Sequence, residues 1–146
     1  VLLAGGIIDQ QDMIDACKLG ADGVQVGTRF AASYEANVEK PFHDTYLKAK
    51  KGDVFRIMSP VGLWGNALPT PFTDKVAAGT VKHPACGGCL KKCSRRFCII
   101  KALIEARGGN LEDGLVFSGE HVYRIGKIMS VAEIFAMFFQ GLENRD

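Results

Sequence analysis

The chain has 146 residues, 47% of them hydrophobic, and its 18 basic and 16 acidic side chains leave a net charge of +2. That is about one average domain with enough apolar surface for a core, and so even a charge balance gives no reason to expect nucleic acid or a membrane surface as partner. No apolar run reaches the roughly 18 residues of a membrane span, and no signal peptide is visible. Five cysteines, an odd number, point to reduced thiols or metal ligands in a cytoplasmic protein rather than to a disulfide framework.

Residues 1–7, Val-Leu-Leu-Ala-Gly-Gly-Ile, read as a buried parallel strand ending in a turn, because the apolar run is continuous rather than alternating. Asp9 is an N-cap for a helix over residues 10–19, with Met13, Ile14 and Cys17 as its core stripe and Gly20 as its stop. Residues 23–28 form a second short strand, with Val24 and Val26 on one face. The β-α-β spacing suits a parallel pair.

After Phe30 the pattern turns helical, with Phe42, Tyr46 and Leu47 at helical spacing and lysines before Gly52. Residues 54–58 read as an edge strand. The proline- and glycine-rich stretch from Ser59 to Pro71 reads as one long irregular loop, a kind of segment that is often functional. One helix is expected over residues 90–107, stopped by Gly108-Gly109-Asn110, and a last one over 131–139 with Ile134, Phe135, Phe138 and Phe139 as its packing stripe. The basic run Lys91, Lys92, Arg95 and Arg96 reads as a solvated face.

Two glycine turns carry the chemistry. Gly5-Gly6 and Gly27-Thr28 each follow a strand, so they would bring bare backbone N–H groups side by side, with the Thr28 hydroxyl as a further donor. Gln25 lies two residues before Gly27 and points to the same side. The last two strands of a (β/α)8 barrel commonly hold a phosphorylated cofactor in this way. Spacing alone leaves plain strand-to-helix turns equally open. A complete barrel needs roughly 250 residues, so the chain reads as the C-terminal part of a longer α/β protein.

The stretch from Leu3-Ala4-Gly5-Gly6-Ile7 through Gly20-Ala21-Asp22-Gly23-Val24-Gln25-Val26-Gly27-Thr28-Arg29-Phe30 resembles the C-terminal part of the nitronate monooxygenases, FMN-dependent TIM-barrel flavoproteins. The related flavin-dependent enoyl-ACP reductases share almost the same signature. The resemblance continues through Glu35, His43, Ser59-Pro60-Val61-Gly62-Leu63 and Gly114-Leu115-Val116-Phe117-Ser118-Gly119. It implies residues 1–58 as the last βα units of a flavin-binding barrel, and residues 59–146 as a loop and mostly helical, cysteine-containing region packed on it.

By the same resemblance Gly5, Gly6, Gln25, Gly27 and Thr28 would hold the FMN phosphate, and the substrate would be a small molecule. Two departures stand out. The family's Gly-hydrophobic-Pro-Gly-Arg loop is replaced by Gly62-Leu63-Trp64-Gly65-Asn66. The family's catalytic histidine belongs to a segment ahead of Val1, so no catalytic residue is assigned here, and the rest of the barrel is the expected partner. His43 reads as a helix-start histidine, and His83 and His121 have no evident partner.

Cys86, Cys89, Cys93 and Cys98 fall as C-x2-C-x3-C-x4-C. Four thiolates suit a zinc or iron–sulfur site, with His83 as a substitute ligand, although the spacing matches no common cluster pattern. Packing or redox-sensitive thiols remain the alternatives. Three functions follow: oxidation of alkyl nitronates by O₂ to a carbonyl compound and nitrite, enoyl-ACP reduction with NAD(P)H, or a non-catalytic module.

Overall fold

The computed structural model describes residues 1–81, 86–89 and 91–140. Strand β1 (Leu2–Ala4) pairs in parallel with β2 (Gly23–Gln25), with Leu2 opposite Gly23 and Ala4 opposite Gln25. Helix α1 (Gln10–Lys18) makes the crossover. Its start is fixed as expected: the Asp9 carboxylate accepts from the Asp12 amide, and Asp12 accepts in return from the Asp9 amide, a reciprocal cap. Its buried face differs from the expected stripe, because Ala16 is buried and Cys17 exposed. The small Ala16 and Met13, three residues apart, form the row that meets β2 and the C-terminal helix.

Strand β2 stops at Gln25, since Thr28–Ala31 already forms the short helix α2. Leu3, Val24 and Val26 pack into the core with Ile7 and Ala16. Leu2, expected to be covered, is 74% exposed, on the side of the β1–β2 pair away from this packing. Helix α3 (Lys40–Lys48) follows, with Pro41 in its first turn and Tyr46 buried.

The stretch expected as irregular loop is built otherwise. Strand β3 (Phe55–Met58) folds back antiparallel onto β4 (Trp64–Ala67), with Ile57 opposite Gly65 and Met58 opposite Trp64. Gly62, at φ +84°, turns the hairpin, and the Ser59 amide donates to the Leu63 carbonyl. Helix α4 (Pro71–Ala78) comes directly after, with Thr70 as N-cap and Pro71 in its first turn. Gly62 and Pro71 mark the ends of elements, where a left-handed or fixed φ is needed, whereas Gly65 lies inside β4.

Helix α5 is Ile99–Arg107, not the longer helix expected from residue 90. A helix through the basic run would stack Lys91 on Arg95 and Lys92 on Arg96, like charges four residues apart. Instead Arg95 takes a left-handed φ of +55°, and Phe97 is drawn fully into the core, edge-on to Phe72 at 5.5 Å. Residues 115–118 then run beside β4: the Leu68 amide donates to the Val116 carbonyl and the Ser118 amide to that of Asn66.

Helix α6 (Val131–Phe139) buries Ile134 and Phe138. Phe135 and Phe139 stay half-exposed and stack on each other, with Phe135 leaning on Phe30 at 5.4 Å. One core cluster joins Ile8, Ala32 and Tyr46 to Leu68, Ala106, Val116, Val122 and Ile125, so early and late segments share an interior. Among the described residues no helix is long and apolar enough to cross a membrane.

Candidate functional site

Because β1 and β2 are in register, Ala4 and Gln25 end side by side, and both chains turn at the same level. Gly5 and Gly6 make the first turn at φ +90° and +77°, backbone that a residue with a Cβ adopts only under strain. Gly27 opens the second turn and Thr28 begins α2. Between them lies a cavity of about 240 Å³. All five residues singled out in the sequence, Gly5, Gly6, Gln25, Gly27 and Thr28, line it.

Two further lining residues, Gly119 and His121, come from the far end of the chain. The Gly119 amide donates to Thr28 Oγ1 at 2.8 Å, leaving the hydroxyl proton free to donate to a ligand. A Cβ on Gly119 would fall 2.8 Å from that oxygen, so only glycine fits. His121 has a partner after all: its Nδ1 lies 3.0 Å from the Gly6 carbonyl oxygen. That oxygen can only accept, so Nδ1 carries the proton. Neither residue was legible as part of the site, though Gly119 closes the last motif of the family resemblance.

The segment carrying these residues is clamped to α1. Arg124 donates to Asp9 at 2.6 Å and to Asp12 at 2.8 Å. Burial pulls the Asp12 carboxyl upward, but the bond from Arg124 and those from the Ile8 and Asp9 amides outweigh it, so it sits below the usual carboxylate range. The charge-assisted bond to Asp12 raises Arg124 correspondingly.

A second, wider hollow of about 890 Å³ opens beside the first and shares Gly27 and Thr28 with it. Its wall includes Tyr46, Arg56, Trp64, Asn66 and Ser118. The Arg56 guanidinium lies over the Trp64 ring at 5.0 Å, a cation–π contact made by the tryptophan of the divergent loop. The Tyr46 hydroxyl donates to the Phe117 carbonyl at 2.7 Å, and burial pushes its phenol above the ordinary value. Ser118 Oγ is buried with no hydrogen-bond partner among the described residues.

Other candidates lie apart. His43 sits inside α3, edge-on to Phe42, with its Nε2 buried and unpartnered among the described residues. Glu35 caps α6 by accepting from the Val131 amide. The zinc or iron–sulfur site expected from the cysteine spacing is not formed: among the described residues no three His, Cys, Asp or Glu side chains converge to hold a metal. Cys86 and Cys89 are exposed, Cys98 is the N-cap residue of α5, and Cys93 accepts from the Arg95 amide. His83 lies outside the described residues.

Fold and cavity together define an α/β protein whose neighbouring parallel strands end in one glycine-lined hollow. Comparison with known proteins gives that class its family: the nitronate monooxygenase family model matches residues 1–141, and the chain belongs to this family. A putative nitronate monooxygenase of Saccharomyces cerevisiae is 36% identical over 78 residues, 53% of this chain and 19% of that protein. A probable nitronate monooxygenase of Staphylococcus aureus is 38% identical over 77 residues, 53% of this chain and 22% of its own length. The chain is also close to FabK from Thermotoga maritima, with a TM-score of 0.74 at 28% identity over 98% of this chain and 45% of FabK. Nitroalkane oxidase from Streptomyces ansochromogenes shares the fold, with a TM-score of 0.73 at 15% identity over 98% of this chain and 39% of its own. The chain thus matches less than a quarter of these two curated relatives and under half of either solved structure.

Proposed function

We propose that this chain is the C-terminal, phosphate-holding part of an FMN-dependent TIM-barrel oxidoreductase that oxidises alkyl nitronates with O₂ to a carbonyl compound and nitrite. The observation that carries the reading is the convergence of Gly5, Gly6, Gln25, Gly27 and Thr28 on one cavity at two adjacent strand ends. The residues present fit a phosphate: Gly5, Gly6 and Gly27 put no Cβ in its way, the Thr28 hydroxyl has its proton unused, and the size suits a compact anion. When bound, FMN supplies the electron-accepting chemistry. The chain's own residues anchor it, and Tyr46, Arg56, Trp64 and Asn66 wall the space next to that anchor.

Among the described residues β1 pairs with β2 alone, so its free edge is where further barrel strands would pair, and they would bring the family's histidine base. A second reading, NAD(P)H-dependent enoyl-thioester reduction through FMN, rests on the resemblance to the enoyl-ACP reductases and on the likeness to FabK.

The test has two parts. Replacing both Gly6 and Gly27 with valine is expected to abolish flavin uptake, read from absorbance in the flavin bands, and retention of flavin by the double variant rejects the cradle. Nitrite release from an alkyl nitronate with matching O₂ uptake supports the nitronate monooxygenase reaction. NAD(P)H oxidation that depends on an enoyl thioester, without nitrite release, replaces it with the second reading.

A further inference from the structure

We propose that His121 is a binding residue for the phosphate end of FMN, working through both ring nitrogens; this rests on the FMN reading above. The ring lines the glycine cavity, and its Nδ1–H donates to the Gly6 carbonyl at 3.0 Å. A carbonyl oxygen beside a phosphate would repel it, and this bond engages that oxygen. It also fixes the Gly6–Ile7 peptide plane, because in a trans peptide the Ile7 amide must point opposite to the carbonyl that His121 holds.

The fit is specific to this pair. A Cβ on Gly6 would lie 3.2 Å from Nδ1 and 3.3 Å from Cε1, so the bare glycine is what lets the ring lie against the turn. Nε2 makes no protein hydrogen bond among the described residues. With Nδ1–H committed to Gly6, Nε2 can meet a phosphate either by accepting its P–OH proton or, as imidazolium, by a charge-assisted donor bond.

The surroundings hold the ring in place. Val122 is fully buried, Tyr123 meets the imidazole edge-on at 6.2 Å, and Asp9, the N-cap of α1, and Asp12 within it are paired with Arg124 rather than with His121. On the opposite side the Gly119 bond to Thr28 ties the same segment to the second turn. One segment therefore grips both glycine turns.

The experiment titrates the protein with FMN and with riboflavin, which lacks the phosphate, by flavin fluorescence. His121→Phe keeps the ring's bulk and removes both nitrogens, while His121→Asn retains a donor for the Gly6 carbonyl but cannot reach further. His121→Phe is expected to weaken FMN by about tenfold or more and to leave riboflavin unchanged, with His121→Asn between. Equal losses for the two flavins would mean a structural role only, and no loss in either variant would mean no role; each overturns the proposal. Circular dichroism checks folding, and His121→Asn carries the comparison if His121→Phe does not fold. A wild-type protein that does not prefer FMN over riboflavin overturns the phosphate reading itself, and the role of His121 with it.

Discussion

Arg29 is the one charged side chain buried in the core among the described residues, 3% exposed and with no carboxylate partner among them. Its Nη2 donates to the carbonyls of Ala32 and Lys127, and burial lowers its pKa. Desolvation of the guanidinium works against folding, and the two charge-assisted bonds offset it. Arg29→Met keeps the apolar stem but leaves both carbonyls short of a donor. It is expected to destabilise the fold by roughly 1–3 kcal/mol, seen as a lower denaturant midpoint, and an unmoved midpoint would contradict this. Residues of this kind were only half legible. Gly5 and Gly6 could be singled out because a turn after a strand demands their left-handed backbone, a local requirement, whereas Gly27, at φ −111°, was marked only by its place after the second strand. His121 could not, because its partner Gly6 is 115 residues away and no local pattern encodes that meeting.

Among the elements, α4 shows how a cap can serve the packing of another segment. Thr70 Oγ1 accepts from the Thr73 amide and donates to the Gly114 carbonyl at 3.0 Å, both in a buried setting. Thr70→Val preserves shape while leaving a buried amide and a buried carbonyl unpaired. The expected loss is roughly 2–3 kcal/mol by equilibrium unfolding, whereas Thr70→Ser should recover most of it. The sequence signals for this element were present, Thr70-Pro71 followed by Phe72 and Val76 at helical spacing, yet prolines and glycines in a run read more readily as loop. The hairpin of β3 and β4 was hidden for a similar reason. Its second strand, Trp-Gly-Asn-Ala, has weak strand propensity and is held by partners, with Gly65 so close to Phe117 that a Cβ would lie 2.5 Å from its ring. By contrast the extents of α1 and α6 were legible, the first from its Asp9 cap and the second from its apolar stripe, although Cys17 of the expected α1 face is exposed.

At the scale of the whole molecule, the pairing of Arg124 with Asp9 and Asp12 ties segments more than a hundred residues apart. It should make the fold acid-sensitive in a defined way. The Asp12 carboxyl titrates lower in the folded chain than in the unfolded one, where its pKa is about 3.9. Its contribution is therefore complete above the unfolded value and disappears as pH falls through the folded one. The stability gap between wild type and Asp12→Asn should stay constant above about pH 5 and narrow below about pH 4. A gap that does not change with pH would show that the carboxylate's charge is immaterial. The family was legible from the first thirty residues, whereas the closing of the site by the chain's other end was not, since long-range docking leaves no periodic trace in a sequence.

The grip of residues 119–124 on both glycine turns also has a kinetic meaning. Each contact that completes the hollow, Gly119 to Thr28, His121 to Gly6 and Arg124 to α1, joins residues separated by 91 to 115 positions along the chain. Loop closure of that span must precede them, so the βαβ unit can form locally while its cradle stays unfinished until late in folding. On the FMN reading, cofactor capture would then be a terminal event, waiting during synthesis until this distant segment has emerged and returned to the strand ends.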